Sequence, residues 1–369
     1  MTGQTNFLYT DIGRGHPHYL DGIIECLPPE HIGTVSDVFA ETSGLARAAW
    51  RLARSVYQYG GRSPALSALY NRLRAQGDYN RGGTLQGIMG RPLRRRYVDD
   101  PLPLVVAHPI LAAILRDKQN LLYQHGELAA PRESWVKGQH RTIVPTARTA
   151  DAFIAAGIAA DSLFVSGLCI EPALLEQAEA AFNARLDRLA GSDPLCGAFF
   201  SSGAEPRRHV ASLAAAARSA VAAGGRAIVF ARRGGALKAR LTRMPGERAG
   251  LTLCLYDGRQ ELNQLTQASF ADFDYFVAPA HERTHWTLGL GLPMFVVGPS
   301  LGSFSPLNRE LLLTARVAKT MDDEHAAAWL GKALGRLQQT GELRAMAEAG
   351  WGRFDRRGFD NIAEMLGSL

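Results

Sequence analysis

Short apolar runs alternate with helical stretches along this chain, and after one pass the alternation starts again. In the first half the runs are Asn6–Thr10 (NFLYT), Leu104–Ala107, Asn120–Tyr123, Thr142–Val144 and Leu163–Ser166, with helical patterns such as Ala147–Ala156 between them. An Ala/Leu/Glu-rich helical stretch from Glu171 to Gly191 reads as a connector. The second pass runs through Cys196–Ser201, Ala227–Ala231, Leu251–Tyr256, Tyr275–Ala278 and Met294–Val297. Strands that alternate with helices build parallel sheets covered on both faces. Two passes therefore predict an α/β chain of two Rossmann-like domains facing across a cleft, residues 1–170 and 171–369. The last region, Gly341–Leu369, is amphipathic with no strand after it, so its final helix can return to the first domain.

Composition narrows the class. No stretch holds the eighteen consecutive apolar residues of a spanning helix, and Met1–Leu20 lacks a basic leader followed by an apolar run. Cys26, Cys169, Cys196 and Cys254 form no C-x-x-C pair, which predicts reduced thiols in a cytoplasmic protein. The net charge of +6 is unevenly spread. Between Gly44 and Val98 lie eleven arginines and one acid, Asp78, giving that stretch +10 and leaving −4 elsewhere. Arg47, Arg51 and Arg54 recur at helical spacing there, among Trp50, Tyr57 and further tyrosines. Such a segment suits an anionic membrane surface, a nucleic-acid backbone or a plain solvated helix face.

Three places can carry chemistry. Gly13-Arg14-Gly15-His16 follows the first run, where glycines let a ligand approach the backbone and a helix N-terminus favours negative charge. A histidine there can serve as a base near neutral pH. The spacing lacks the third glycine of a dinucleotide fingerprint, Tyr19 standing nearby instead. Ser201-Ser202-Gly203, with Arg207 following and Arg232 ending the next run, suits a diphosphate. His281-Glu282-Arg283-Thr284-His285 matches H-E-x-x-H literally. Pro279 before it and Gly289, Gly291 and Pro293 after it leave room for only a short helix, so a zinc protease is disfavoured and the loop reads as a ligand wall.

These motifs together resemble the GT-B glycosyltransferases that act on lipid acceptors: monogalactosyldiacylglycerol synthases, processive diacylglycerol glucosyltransferases and the N-acetylglucosaminyltransferase that completes lipid II. Gly13–His16 is similar to that family's first glycine loop, and Leu104–Pro109 to its strand ending in His-Pro. Trp135 with His140–Gly157, and Val165–Leu168, resemble its later first-domain motifs. Phe200–Gly203 fits its phosphate loop, Gly291-Leu292-Pro293 its "GlP" step, and Asn308 the asparagine beyond. The chain departs where the family holds the donor ribose with a glutamate seven residues before that proline, for Trp286 stands there, and Phe304-Ser305 replaces a Gln-Glu pair.

The resemblance implies sugar transfer from a nucleotide-diphosphate sugar, a UDP-sugar, to a hydroxyl of a membrane-associated lipid. It implies inversion at the anomeric carbon, no cofactor and no metal. His16 would be the general base. Gly13, Gly15, Ser201, Ser202, Gly203, Arg207, Arg232, His281, Glu282, Thr284 and Asn308 would hold the donor. Arg47, Trp50, Arg51, Arg54 and Tyr57 would meet the acceptor and an anionic membrane surface at its inner face, with nucleic acid disfavoured as a partner. A nucleotide-sugar hydrolase on the same scaffold, or a non-catalytic lipid- or nucleotide-binding protein, are the alternatives.

Overall fold

The computed structural model describes residues 3–10, 15–60, 77–138, 141–243 and 249–369. Among these, twelve strands form two parallel sheets of six. The first contains β1 (Thr5–Tyr9), β2 (Ile32–Asp37), β3 (Leu104–Val106), β4 (Leu121–Gln124), β5 (Arg141–Val144) and β6 (Leu163–Val165), in the order β2-β1-β3-β4-β5-β6. The second contains β7 (Cys196–Phe200), β8 (Arg226–Arg232), β9 (Leu251–Tyr256), β10 (Tyr275–Ala278), β11 (Met294–Val297) and β12 (Ala318–Met321), in the order β12-β11-β10-β7-β8-β9. Two compact units result: residues 1–172 with 302–304 and 355–369, and residues 173–301 with 305–354.

In the first unit successive residues of each central strand go to opposite faces, as the pleat requires. Leu8, Val106, Tyr123 and Val144 pack with helices Gly44–Gly60, Thr84–Tyr97 and Pro109–Ile114. Phe7, Val105, Leu122 and Ile143 pack on the other face with helices Gly15–Glu25 and Gly358–Gly367. Both faces being covered, these strands read as unbroken apolar runs. The terminal helix brings Phe359 against Gly22, where an added Cβ would lie 2.2 Å from the ring.

The second unit packs the Ala-rich helix Arg207–Ala222 on its sheet, burying Val210, Leu213, Ala214 and Ala217. The stretch Glu171–Gly191 carries the chain from the first unit into the second, the boundary falling between Pro172 and Ala173. Its helix Ala178–Ala190 belongs to this core: Phe182 stacks on Trp351 at 4.1 Å, and the buried Arg185 guanidinium donates to Phe273 O, Leu290 O and Gly291 O.

Two strands escape the sequence reading. β2 (IGTVSD) and β12 (AKTM) are partly exposed edge strands whose polar residues Thr34, Ser36, Lys319 and Thr320 interrupt the apolar pattern, whereas the opposite edges β6 and β9 keep theirs.

Candidate functional site

In a parallel sheet every strand delivers its following loop to the same edge, and ligands favour the place where strand order reverses. In the first sheet that place lies between β1 and β3. His16 follows β1 as the second residue of helix Gly15–Glu25; His108 follows β3 as the N-cap of helix Pro109–Ile114. The His16 Nδ1–H donates to Ala107 O at 2.8 Å, which in the neutral ring leaves the lone pair on Nε2. His108 has the opposite tautomer. Its Nδ1 accepts from the Ile110 N–H at 3.1 Å, so the ring proton sits on Nε2. The ring centroids are 4.4 Å apart. One acceptor nitrogen and one donor N–H thus stand side by side, a combination that can take a proton from one oxygen and hydrogen-bond another.

Gly13, like Ile12 and Arg14, lies outside the described residues, and Gly15 opens the helix. His18 faces elsewhere, 3.9 Å from Glu171 and edge-on to Phe359. Beyond β4, the buried His125 donates from Nε2 to Ala129 O, and desolvation pushes its pKa down to about 4, so it is a neutral packing residue.

In the second sheet the reversal falls between β7 and β10. Ser201, Ser202 and Gly203 follow β7, Arg232 ends β8, and His281, Glu282 and Thr284 follow β10. Asn308, beyond β11, is fully buried and donates to Ala280 O at 3.2 Å. The fold thus delivers all of these to one sheet edge. Arg207 and Arg232 are exposed. The two histidines of H-E-x-x-H do not share a helix: the helix starts at Thr284, leaving His281 in the turn before it. Among the described residues no three His, Cys, Asp or Glu side chains cluster as metal ligands.

Trp286 is a core residue, 1% exposed and edge-on to Phe200 at 5.6 Å. Above it the buried Arg283 guanidinium lies 4.2 Å from the Phe200 ring centroid and 5.1 Å from that of Trp286, and it pairs with Glu282 at 2.8 Å. Trp286 thus serves as a buried ring that supports a cation. His209, unmarked by any motif, donates from Nε2 to Pro299 O at 2.7 Å, and burial lowers its pKa to about 4. The sequence marks His108 through its His-Pro strand end and Arg283 through the H-E-x-x-H loop without giving either a role, and it marks His209 not at all.

The basic segment needs a correction. Trp50 is fully buried, its indole N–H donating to Met89 O, so it cannot sit at headgroup depth. Arg47 is tied to Thr42 O at 2.7 Å, Arg54 lies over the Phe39 ring, and Arg51 is exposed. The apolar residues facing outward on this helix are Leu45, Leu52 and Val56, 79%, 58% and 48% exposed. The side chain of Tyr57 lies outside the described residues, as do Arg62, Arg72, Arg74 and His140. No described helix is long and apolar enough to cross a membrane.

The sequence matches no family model and no curated protein. Solved structures do match. The UDP-GlcNAc 2-epimerase of Neisseria meningitidis bound to UDP-GlcNAc superposes with a TM-score of 0.59 at 10% identity, covering 100% of this chain and 99% of that one. Arabidopsis thaliana UGT89C1 complexed with UDP gives 0.55 at 11% identity over 99% and 100%. The kitacinnamycin glycosyltransferase gives 0.52 at 12% over 99% and 98%. At these identities the likeness shows the fold, which is GT-B: two Rossmann-like domains, each on a six-stranded parallel sheet.

Proposed function

We propose that this chain is a glycosyltransferase that moves a sugar from a UDP-sugar to a hydroxyl of a membrane-associated lipid, with inversion and without a metal. The observation that carries the proposal is the His16–His108 pair at the strand-order reversal of the first sheet. As the acceptor oxygen attacks the anomeric carbon, His16 Nε2 takes its proton while the bond to the diphosphate breaks; His108 Nε2–H steadies a neighbouring oxygen. Support for the donor comes from the solved structures of like fold, two of which hold UDP-GlcNAc or UDP. In the second unit Ser201–Gly203, His281–Thr284 and Asn308 line the sheet edge that would receive it.

The lipid part rests on helix Gly44–Gly60, where outward Leu45, Leu52 and Val56 accompany exposed Arg51. Apolar residues at the acyl boundary and arginines on phosphates suffice for reversible binding. The test is turnover of a panel of UDP-sugars, with and without vesicles carrying diacylglycerol or polyprenyl acceptors. Acceptor-dependent release of UDP with a glycolipid product supports the transferase. UDP-sugar cleavage indifferent to acceptor replaces it with the hydrolase, and no turnover at all leaves a binding protein.

A further inference from the structure

Helix Phe304–Thr314 buries Asn308, but Arg309, Glu310 and Leu313 of the same helix line a cavity of about 500 Å³ in the second unit. Pro306 at the helix start, Pro299 and Ser300 after β11, and Asp322 after β12 belong to the same wall. Clefts of that volume hold small molecules. The lining differs residue for residue from Ser201–Gly203, His281–Thr284 and Asn308, the edge proposed for the donor. We propose that this cavity is a second ligand site and binds a small amphipathic amine, its ammonium held by Glu310 and Asp322 and its apolar body lying on Pro299, Pro306 and Leu313.

The wall is fixed before a ligand arrives. The Gly298 N–H donates to Met321 O at 2.8 Å, and a Cβ added at Gly298 would lie 2.9 Å from Asp322 Cα, so the segments after β11 and β12 are pressed together. His209 Nε2 ties down Pro299 O. Arg309 Nη1 reaches Asp322 Oδ1 at 2.8 Å and joins the helix to the end of β12. A site held on its several sides in this way needs little ordering when it binds.

Charge sets the class of ligand. The lining carries one cation, Arg309, against two acids, Glu310 and Asp322, a net charge of −1. Arg309 answers Asp322, which leaves Glu310 exposed and without an ion pair among the described residues. A carboxylate ligand would be repelled by that acid, whereas an ammonium is drawn to it. The apolar part consists of the two prolines and Leu313, which is 38% exposed and which a hydrocarbon body would shield from water. The Ser300 Oγ on this wall is buried without a hydrogen-bond partner, and an N–H of the occupant supplies one.

Ligand-observed NMR titrations with 2-phenylethylamine, 2-phenylethanol and 3-phenylpropionate test the proposal. The wild type should bind the amine saturably and about tenfold more tightly than the alcohol or the carboxylate, the difference that one charge-assisted hydrogen bond supplies. Glu310→Gln should remove that preference, and Leu313→Ser should weaken the amine and the alcohol alike. Both side chains are exposed, so thermal melts matching the wild type exclude a folding defect. Equal binding of the three probes by the wild type, or a preference that persists in Glu310→Gln, overturns the proposal. So does the absence of saturable amine binding at millimolar concentration. Displacement of the amine by uridine diphosphate would put it at the donor edge and overturn the proposal while leaving the nucleotide reading intact.

Discussion

A histidine whose Nδ1–H is tied to a main-chain carbonyl presents its lone pair from Nε2 alone, which is how Ala107 O prepares His16. His16→Ala should therefore lower turnover roughly 100-fold or more while UDP affinity stays within a few fold, as separate kinetic and equilibrium titrations would reveal. Full turnover in that variant removes His16 from the chemistry. His108→Asn keeps an oxygen where Nδ1 caps Ile110 but deletes the Nε2 donor. Thermal stability should hold while turnover drops about tenfold. The buried histidines make a prediction of another kind. Burial pushes the His125 and His209 imidazoles down to about 4, below the ordinary histidine value of 6.5. Between those values the unfolded chain binds protons that the folded chain refuses, so stability falls as pH drops from 6.5 towards 4. Urea unfolding at pH 7 and pH 5 should record the loss, at most about 1.4 kcal/mol per pH unit per histidine. His209→Gln should flatten that slope.

Elements show what the sequence conveys and what it hides. Strands covered on both faces announce themselves, as Leu104–Val106 and Ala227–Ala231 do, because every residue is apolar. The edge strand Ala318–Met321 does not, because Lys319 and Thr320 face partly outward. The site divides similarly. The positions of His16, His108 and Ser201–Gly203 directly after strands can be read from the apolar runs before them. The place of His209 cannot be read that way, because its bond to Pro299 O depends on a residue 90 positions away. Helix Gly44–Gly60 shows the same limit: spacing revealed an amphipathic helix but could not say that Trp50 points inward. Trp50→Ala should cost about 3–5 kcal/mol of stability, read by denaturant titration. Replacing Leu45, Leu52 and Val56 with serine should spare the fold yet release the protein from anionic vesicles in co-sedimentation. Replacing Arg47, Arg51 and Arg54 with glutamate should do so as well, and salt should mimic it. A wild type that ignores such vesicles at low salt ends the membrane reading.

At the scale of the whole chain, the first unit is assembled from distant parts. Residues 355–369 complete it, with Leu168 N–H donating to Asp355 O and Gly358 N–H donating to Leu168 O. Phe359, Ile362, Met365 and Leu366 lie in its core. On the ribosome this reverses the usual order of events. Domains ordinarily close in the order they emerge, but here the earlier unit must wait for helix Gly358–Gly367 to be translated, while most of the later one is already in hand. Nascent chains arrested before residue 355 should thus yield a protease-resistant second unit and a first unit that is still cleaved, with Phe7, Ile23 and Leu122 open to chaperones until residues 355–369 emerge.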